Sequence, residues 1–157
     1  MGVEYLRAEE AKDAGSLPSA TNHSTVNTRR FRLAKTEILR GYKAFSSILT
    51  RGTYVSSLYL RCYYEITDKI PPETCQVGFT VRRVRKAVTR NKWKRLLREA
   101  YRQQKHSLLD ELMNSSLSIR MVLRIDLKKT TGTEDFADLF AQMNNILLAL
   151  KERISAG

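Results

Sequence analysis

The stretch Arg90–Lys105 constrains this chain most. Wound as an α-helix, it separates into two faces. Arg90, Lys94, Arg98 and Arg102 recur every four residues as one positive ridge, with Arg95 beside it. Trp93, Leu96, Leu97, Ala100 and Tyr101 fall at helical spacing on the other side. Glu99 is the only carboxylate in the stretch, so the ridge is almost uncompensated. Each like-charge pair one turn apart costs roughly a few tenths of a kcal/mol. A helix that repeats this cost points to an anionic partner, and a phosphate backbone fits best.

Charge distribution supports the same partner. The 157 residues carry a formal charge of +12; between Arg82 and Lys105 eleven Lys or Arg face one Glu, so that window holds +10 and the remainder only +2. Such a concentrated patch is the footprint expected of a nucleic-acid binder. The length suggests one domain, and an apolar content of 42% suffices for a core. No run approaches the ~18–20 apolar residues of a membrane span. Without an apolar h-region at the N-terminus secretion is not expected, and Glu4, Glu9, Glu10 and Asp13 argue against a transit peptide. Cys62 and Cys75 form no CxxC or Cys/His cluster, so no structural zinc is expected; two buried reduced thiols are favoured over one disulfide. His23 lies in the tail, and His106 suits a capping or solvated role better than that of a base.

Residues 1–30 are polar and are expected to form a flexible tail, leaving 31–157 as the folded domain. Ile38, Tyr42, Phe45, Ile48 and Leu49 predict a first helix ending near Gly52. Ser57–Ile66 predicts a strand, with Leu58, Leu60, Cys62 and Tyr64 on one face and Tyr59, Arg61 and Tyr63 on the other. That second face is either an amphipathic solvent face or a stacking platform for single-stranded nucleotides. Gln76–Val81 predicts a second strand, followed by a basic connector with Arg82, Arg83, Arg85 and Lys86. The central helix is expected to start near Arg90 or Asn91 and run past Leu109 to Met113. Ile119–Leu127 alternates as a third strand with one face wet. Thr131-Gly132-Thr133-Glu134 fits a capping box, and the Phe136–Leu150 stripe a core-facing last helix. The expected class is α+β, a sheet of three to four strands with three helices packed against it.

Val77-Gly78-Phe79-Thr80-Val81, the basic connector, and Ala87-Val88-Thr89 followed by Arg-Asn-x-x-Lys-Arg-x-x-Arg-Glu (Arg90–Glu99) resemble the protein subunit of bacterial ribonuclease P. The similarity extends upstream through Leu33, Phe45, Arg51-Gly52 and Tyr63, and downstream to the last helix, covering roughly Arg32 to Ile154. It implies a two-layer α/β sandwich with a left-handed βαβ crossover through the basic helix, against the usual right-handed expectation. It also implies that the protein binds a catalytic RNA and the 5′ leader of precursor tRNA, while that RNA and its Mg2+ remove the leader. On this resemblance Arg90, Asn91, Lys92 and Arg95 face the catalytic RNA, and Arg102 completes the ridge. Lys94 and Arg98 border the leader cleft, Phe45 and Tyr63 floor it, and Leu49 and Arg61 hold further cleft positions. Arg82, Arg83 and Lys86 add phosphate contacts. No catalytic residue, metal ligand or organic cofactor is implied in the chain, nor a membrane or an obligate protein partner, and the implied location is the bacterial cytoplasm. The chain departs from the family pattern in a connector one residue shorter, in Arg85 where glycine is frequent, in Leu49 where Phe is, and in Arg61 where an aliphatic residue is.

Other classes are weaker. A nuclease in its own right needs clustered carboxylates, which the sequence does not offer, and Glu99 suits an intrahelical ion pair. A noncatalytic RNA binder fits the charge but not the motif. A membrane-surface or calmodulin-type helix would have to expose Trp93 and Leu97, which the strands are ready to cover.

Overall fold

The computed structural model describes residues 32–129 and 134–157. A short 3-10 turn, Lys35–Glu37, leads into α1 (Tyr42–Arg51), β1 (Thr53–Ser57), β2 (Leu60–Ile66) and β3 (Cys75–Arg82). There follow α2 (Ala87–Gln104), α3 (His106–Ser115), β4 (Ile119–Asp126) and α4 (Phe136–Ala156). The four strands form one mixed sheet in the order β1-β2-β4-β3. β1–β2 and β2–β4 are antiparallel; β3–β4 is parallel and joined by α2 and α3. Among the described residues this is the expected α+β class, with four helices where three were predicted. The long central helix is broken at Lys105, whose buried ammonium reaches the Glu37 carboxylate at 2.6 Å.

Strand alternation sets the layers. Ile119, Met121, Leu123 and Ile125 of β4, with Leu60, Cys62, Tyr64, Val77, Phe79 and Val81 of its neighbours, face α2, α3 and α4. From the helices Leu97, Ala100, Tyr101, Leu108, Leu112, Met143, Ile146 and Leu150 close this main core. Burying a side chain of this size stabilises the fold by roughly 1.5–3 kcal/mol. On the opposite face α1 sets Ile48, Phe45 and Leu49 against Tyr63, Val122 and Leu39.

Several predicted boundaries shift for local reasons. α1 starts at Tyr42 rather than Ile38, because Gly41 at its N-cap has φ +92°, a conformation that L side chains rarely adopt. Ile38 instead bridges Val77 in parallel, and the Leu39 amide donates to the Val77 carbonyl at 2.9 Å. The predicted strand Ser57–Ile66 is the second arm of a hairpin, and β1 escaped the sequence reasoning. Its two-residue turn, Leu58-Tyr59, contains no Gly or Asn, and Leu58 takes φ +36° without the residue type that normally marks it. The turn also reverses the faces of these two residues: Leu58 is exposed, while Tyr59 is buried edge-on against Trp93 with ring centroids 6.3 Å apart. α2 begins at Ala87, three residues before Arg90. The Asp135 side chain caps α4 by accepting from the Asp138 amide at 3.0 Å, so the cap lies beyond the predicted box. Thr131–Thr133 and the tail 1–30 lie outside the described residues. The compact unit runs Leu33–Gly157.

Candidate nucleic-acid interface

α2 carries the cations predicted for it, and they divide by what they touch. Asn91, Lys92, Arg95 and Arg98 are exposed, while Lys94 and Arg90 are half-buried. No acid occupies the first turn, so Lys86 at the N-cap and Arg90 sit at the positive end of the helix dipole. That arrangement is unfavourable alone and favourable beside a polyanion. Arg90 also donates to the Val84 carbonyl at 3.1 Å, tying down the connector. Arg82, Arg83, Arg85 and Lys86 of that connector are exposed, and Arg83 turns the chain out of β3 with φ +63°. Arg102 differs from the rest of the ridge. Its Nε donates to Glu99 at 2.8 Å, and this bond, then one from Gln103, holds the Glu99 carboxyl down at about 2. Glu99 is thus the intrahelical partner that the sequence suggested.

Between α1, β3 and α2 lies an open groove of about 580 Å3. Phe45 and Leu49, one turn apart on α1, form one wall, Lys94 reaches in from α2, and Thr80 of β3 lines it. The Phe45 ring lies on Gly78, where an added Cβ would meet a ring carbon at 2.3 Å. Arg98 extends over the Phe79 ring, 5.5 Å from its centroid. Tyr42, 87% exposed, stands at the mouth and was not anticipated. Phe45, Leu49 and Lys94 of the predicted cleft thus converge.

Tyr63 and Arg61 do not line this groove. Tyr63 is only 7% exposed, packed among Leu39, Ile48 and Val122, so it is no open stacking platform. Its hydroxyl accepts from Arg61 at 3.2 Å and also from Arg124, whose guanidinium lies 4.6 Å above the ring. Arg61 in turn lies 4.7 Å from the centroid of Tyr54, which remains 51% exposed. Tyr54 and Arg124 were missed as partners. Alternation put Arg124 on the wet face, but only the hairpin register, Tyr54 opposite Tyr63, brings Tyr54 to it.

Cys62 and Cys75 are free and buried. Burial raises both thiols, Cys75 to about 12, which suits packing and not nucleophilic chemistry. Burial likewise lifts the Tyr59 phenol to about 12, with Asp138 adding to the rise. Among the described residues no group of three or more His, Cys, Asp or Glu could hold a metal ion, and no helix is long and apolar enough to cross a membrane.

Fold and site together define a class: a small α+β protein in which a cationic helix borders an aromatic groove. The family model for ribonuclease P matches residues 33–151, and the chain belongs to that family. It is 38% identical over 81 residues to the ribonuclease P protein component of Chlorobium phaeobacteroides; the matched stretch covers 48% of this chain and 56% of that relative. Among solved structures, a Staphylococcus aureus RNase P protein mutant with defective mRNA degradation activity superposes with TM-score 0.58 at 18% identity, over 74% of this chain and 90% of its own. The RNase P protein from Thermotoga maritima, in complex with 1-(4-fluorophenyl)-2-thiourea, gives TM-score 0.50 at 24% identity, over 69% and 95%. At these identities the two structures share a fold with this chain.

Proposed function

We propose that this chain is the protein subunit of a ribonuclease P ribonucleoprotein. It binds the catalytic RNA through α2 and its connector, and holds the 5′ leader of precursor tRNA in the groove between α1 and β3. The observation that carries this reading is the adjacency of two different surfaces: an acid-free cationic first half of α2, and an aromatic groove into which Lys94 of the same helix projects. Lys86, Lys92 and Arg95 neutralise backbone phosphates, whose release of condensed counterions makes the affinity salt-dependent, and Asn91 adds an uncharged amide donor. Phe45 and Leu49 offer apolar surface to unstacked bases without demanding a sequence.

Hydrolysis of the phosphodiester belongs to the RNA and its Mg2+. Among the described residues no cluster of His, Cys, Asp or Glu fits a metal centre. The protein's part is positioning and charge neutralisation. Membership of this family is consistent with work in the bacterial cytoplasm.

The test is multiple-turnover cleavage of precursor tRNA by a ribonuclease P RNA at low Mg2+, with and without the full chain. Strong stimulation is expected; none would overturn the reading. Cleavage by the protein and Mg2+ without RNA would instead reveal a protein nuclease.

A further inference from the structure

The walls of the α1 groove are anchored unequally. β3 and α2 lie on the main core, which α3 and α4 complete. α1 rests on the sheet through a smaller cluster, whose buried members are Leu39, Ile48, Tyr63 and Val122. Leu39 belongs not to α1 but to the segment ahead of it. The position of that wall therefore depends on where residues 34–41 are held.

Those residues are fastened to two elements. At β3, Ile38 bridges Val77, and the Leu39 amide donates to the Val77 carbonyl. At the end of α2, the Lys105 ammonium reaches one oxygen of Glu37 at 2.6 Å, with the Lys105 side chain 3% exposed and that of Glu37 19%. The other Glu37 oxygen accepts from the Ala34 amide at 2.6 Å and closes the 3-10 turn. One carboxylate thus shapes the segment and ties it to α2. The chain then enters α1 at Gly41, whose carbonyl accepts from the Phe45 amide at 3.2 Å. Phe45 is the groove residue that lies on Gly78.

Lys94, which reaches into the groove, sits roughly three turns before Lys105 on the same helix. α2 therefore supplies one side of the groove directly and meets the other through the ion pair. A buried ion pair adds little net stability over an apolar pair of similar volume, and its best-attested use is to fix register.

We infer that Glu37 and Lys105 are a positioning pair for the groove, holding the α1 wall, and with it Phe45 and Leu49, at a fixed distance from the Lys94 side of α2. Neither residue lines the groove itself. The inference deepens the reading that the groove takes the 5′ leader and rests on it for its effect on RNA.

The test has two arms, and the first needs no RNA. Spin labels at Lys43→Cys on α1 and Gln103→Cys on α2, both exposed positions, report the distance between the helices in the full chain. Cys62 and Cys75 are buried and stay unlabelled. The distance distribution should be narrow with the pair intact and broad in Glu37→Gln, which keeps the side-chain volume and an acceptor for the Ala34 amide. Adding Lys105→Met to Glu37→Gln removes both charges; it should recover urea stability lost in the single variant and leave the distribution broad.

The second arm reconstitutes each unlabelled protein with a ribonuclease P RNA and compares affinity for leader-bearing precursor and mature tRNA. That ratio is independent of the folded fraction. Both variants should lower it about tenfold, the scale of one lost base stack, with affinity for the catalytic RNA unchanged. A distribution that stays narrow in the variants would overturn the inference, as would a precursor preference that survives a broad one. Equal weakening of precursor and mature tRNA would also overturn it, leaving the pair a part of general stability. If the unmodified holoenzyme has no precursor preference, the leader reading fails, and the distances still decide whether the pair positions α1.

Discussion

Toward α2, α3 and α4, β4 presents Ile119, Met121, Leu123 and Ile125, all fully buried; toward α1 the same strand presents Arg120, Val122 and Arg124. The first face is apolar because it is sealed by three helices, and any charge there would need a partner. On the second face α1 covers the middle with Ile48, Phe45 and Leu49, leaving charged rows on either side. One row is neutralised within the protein by Glu65; the other is not. The contrast teaches which charges the fold pairs with an acid across the sheet and which it gathers around a neutral hydroxyl.

That contrast can be broken at several points. Leu123→Ala, on the sealed face, should cost about 2–5 kcal/mol of unfolding free energy in urea, with no change in the salt slope of RNA binding by the folded fraction. Gly78→Ala, on the other face, sets a methyl against the Phe45 ring; it should cost about 1–3 kcal/mol and weaken binding of leader-bearing precursor tRNA more than that of mature tRNA. Equal weakening of both ligands would detach the groove from the leader. Arg95→Ala, at an exposed position, should leave stability within about 0.5 kcal/mol while reducing affinity for the catalytic RNA. Its slope of log affinity against log salt should fall by roughly 0.7–0.9, and an unchanged slope would take Arg95 off the interface.

The smallest effect belongs to Glu99. Its folded carboxyl lies at about 2, below the ordinary 4.5, so the contribution is present above pH 4.5 and is lost as pH falls toward 2. Because the side chain is 41% exposed, screening should hold the contribution within the roughly 0–1 kcal/mol of surface pairs. Glu99→Gln should therefore flatten the acid limb of the stability curve slightly, and more so at low salt.

What the sequence made legible followed from strong periodicity. β3, β4, α4 and the two faces of α2 needed nothing beyond alternation or a 3.6-residue repeat. The misses were places where one residue's backbone overrode a pattern. Gly41 stopped a helical spacing that Ile38 and Tyr42 otherwise continued, and Leu58 turned a chain with no turn residue to announce it. At the site, charge counting found α2 and its connector, and the family resemblance supplied Phe45, Leu49 and Lys94 for the groove. Neither could tell that Tyr63 would be roofed by two arginines. That depends on the register that sets Arg124 opposite Arg61, next to Tyr63, and a hydrogen bond between residues 61 apart leaves no local trace. Arg102 and Lys105, counted among the cations, are both engaged by carboxylates of the fold, Glu99 and Glu37.

The bridge from Ile38 to Val77 has one more effect. β3 is the last strand on its side of the sheet, and a bare strand border is a template on which another molecule can add its own chain. Here the segment just ahead of α1 already occupies part of that border, so the polypeptide guards itself against self-templated growth. A version shortened past Leu39 would surrender the guard along with the residues.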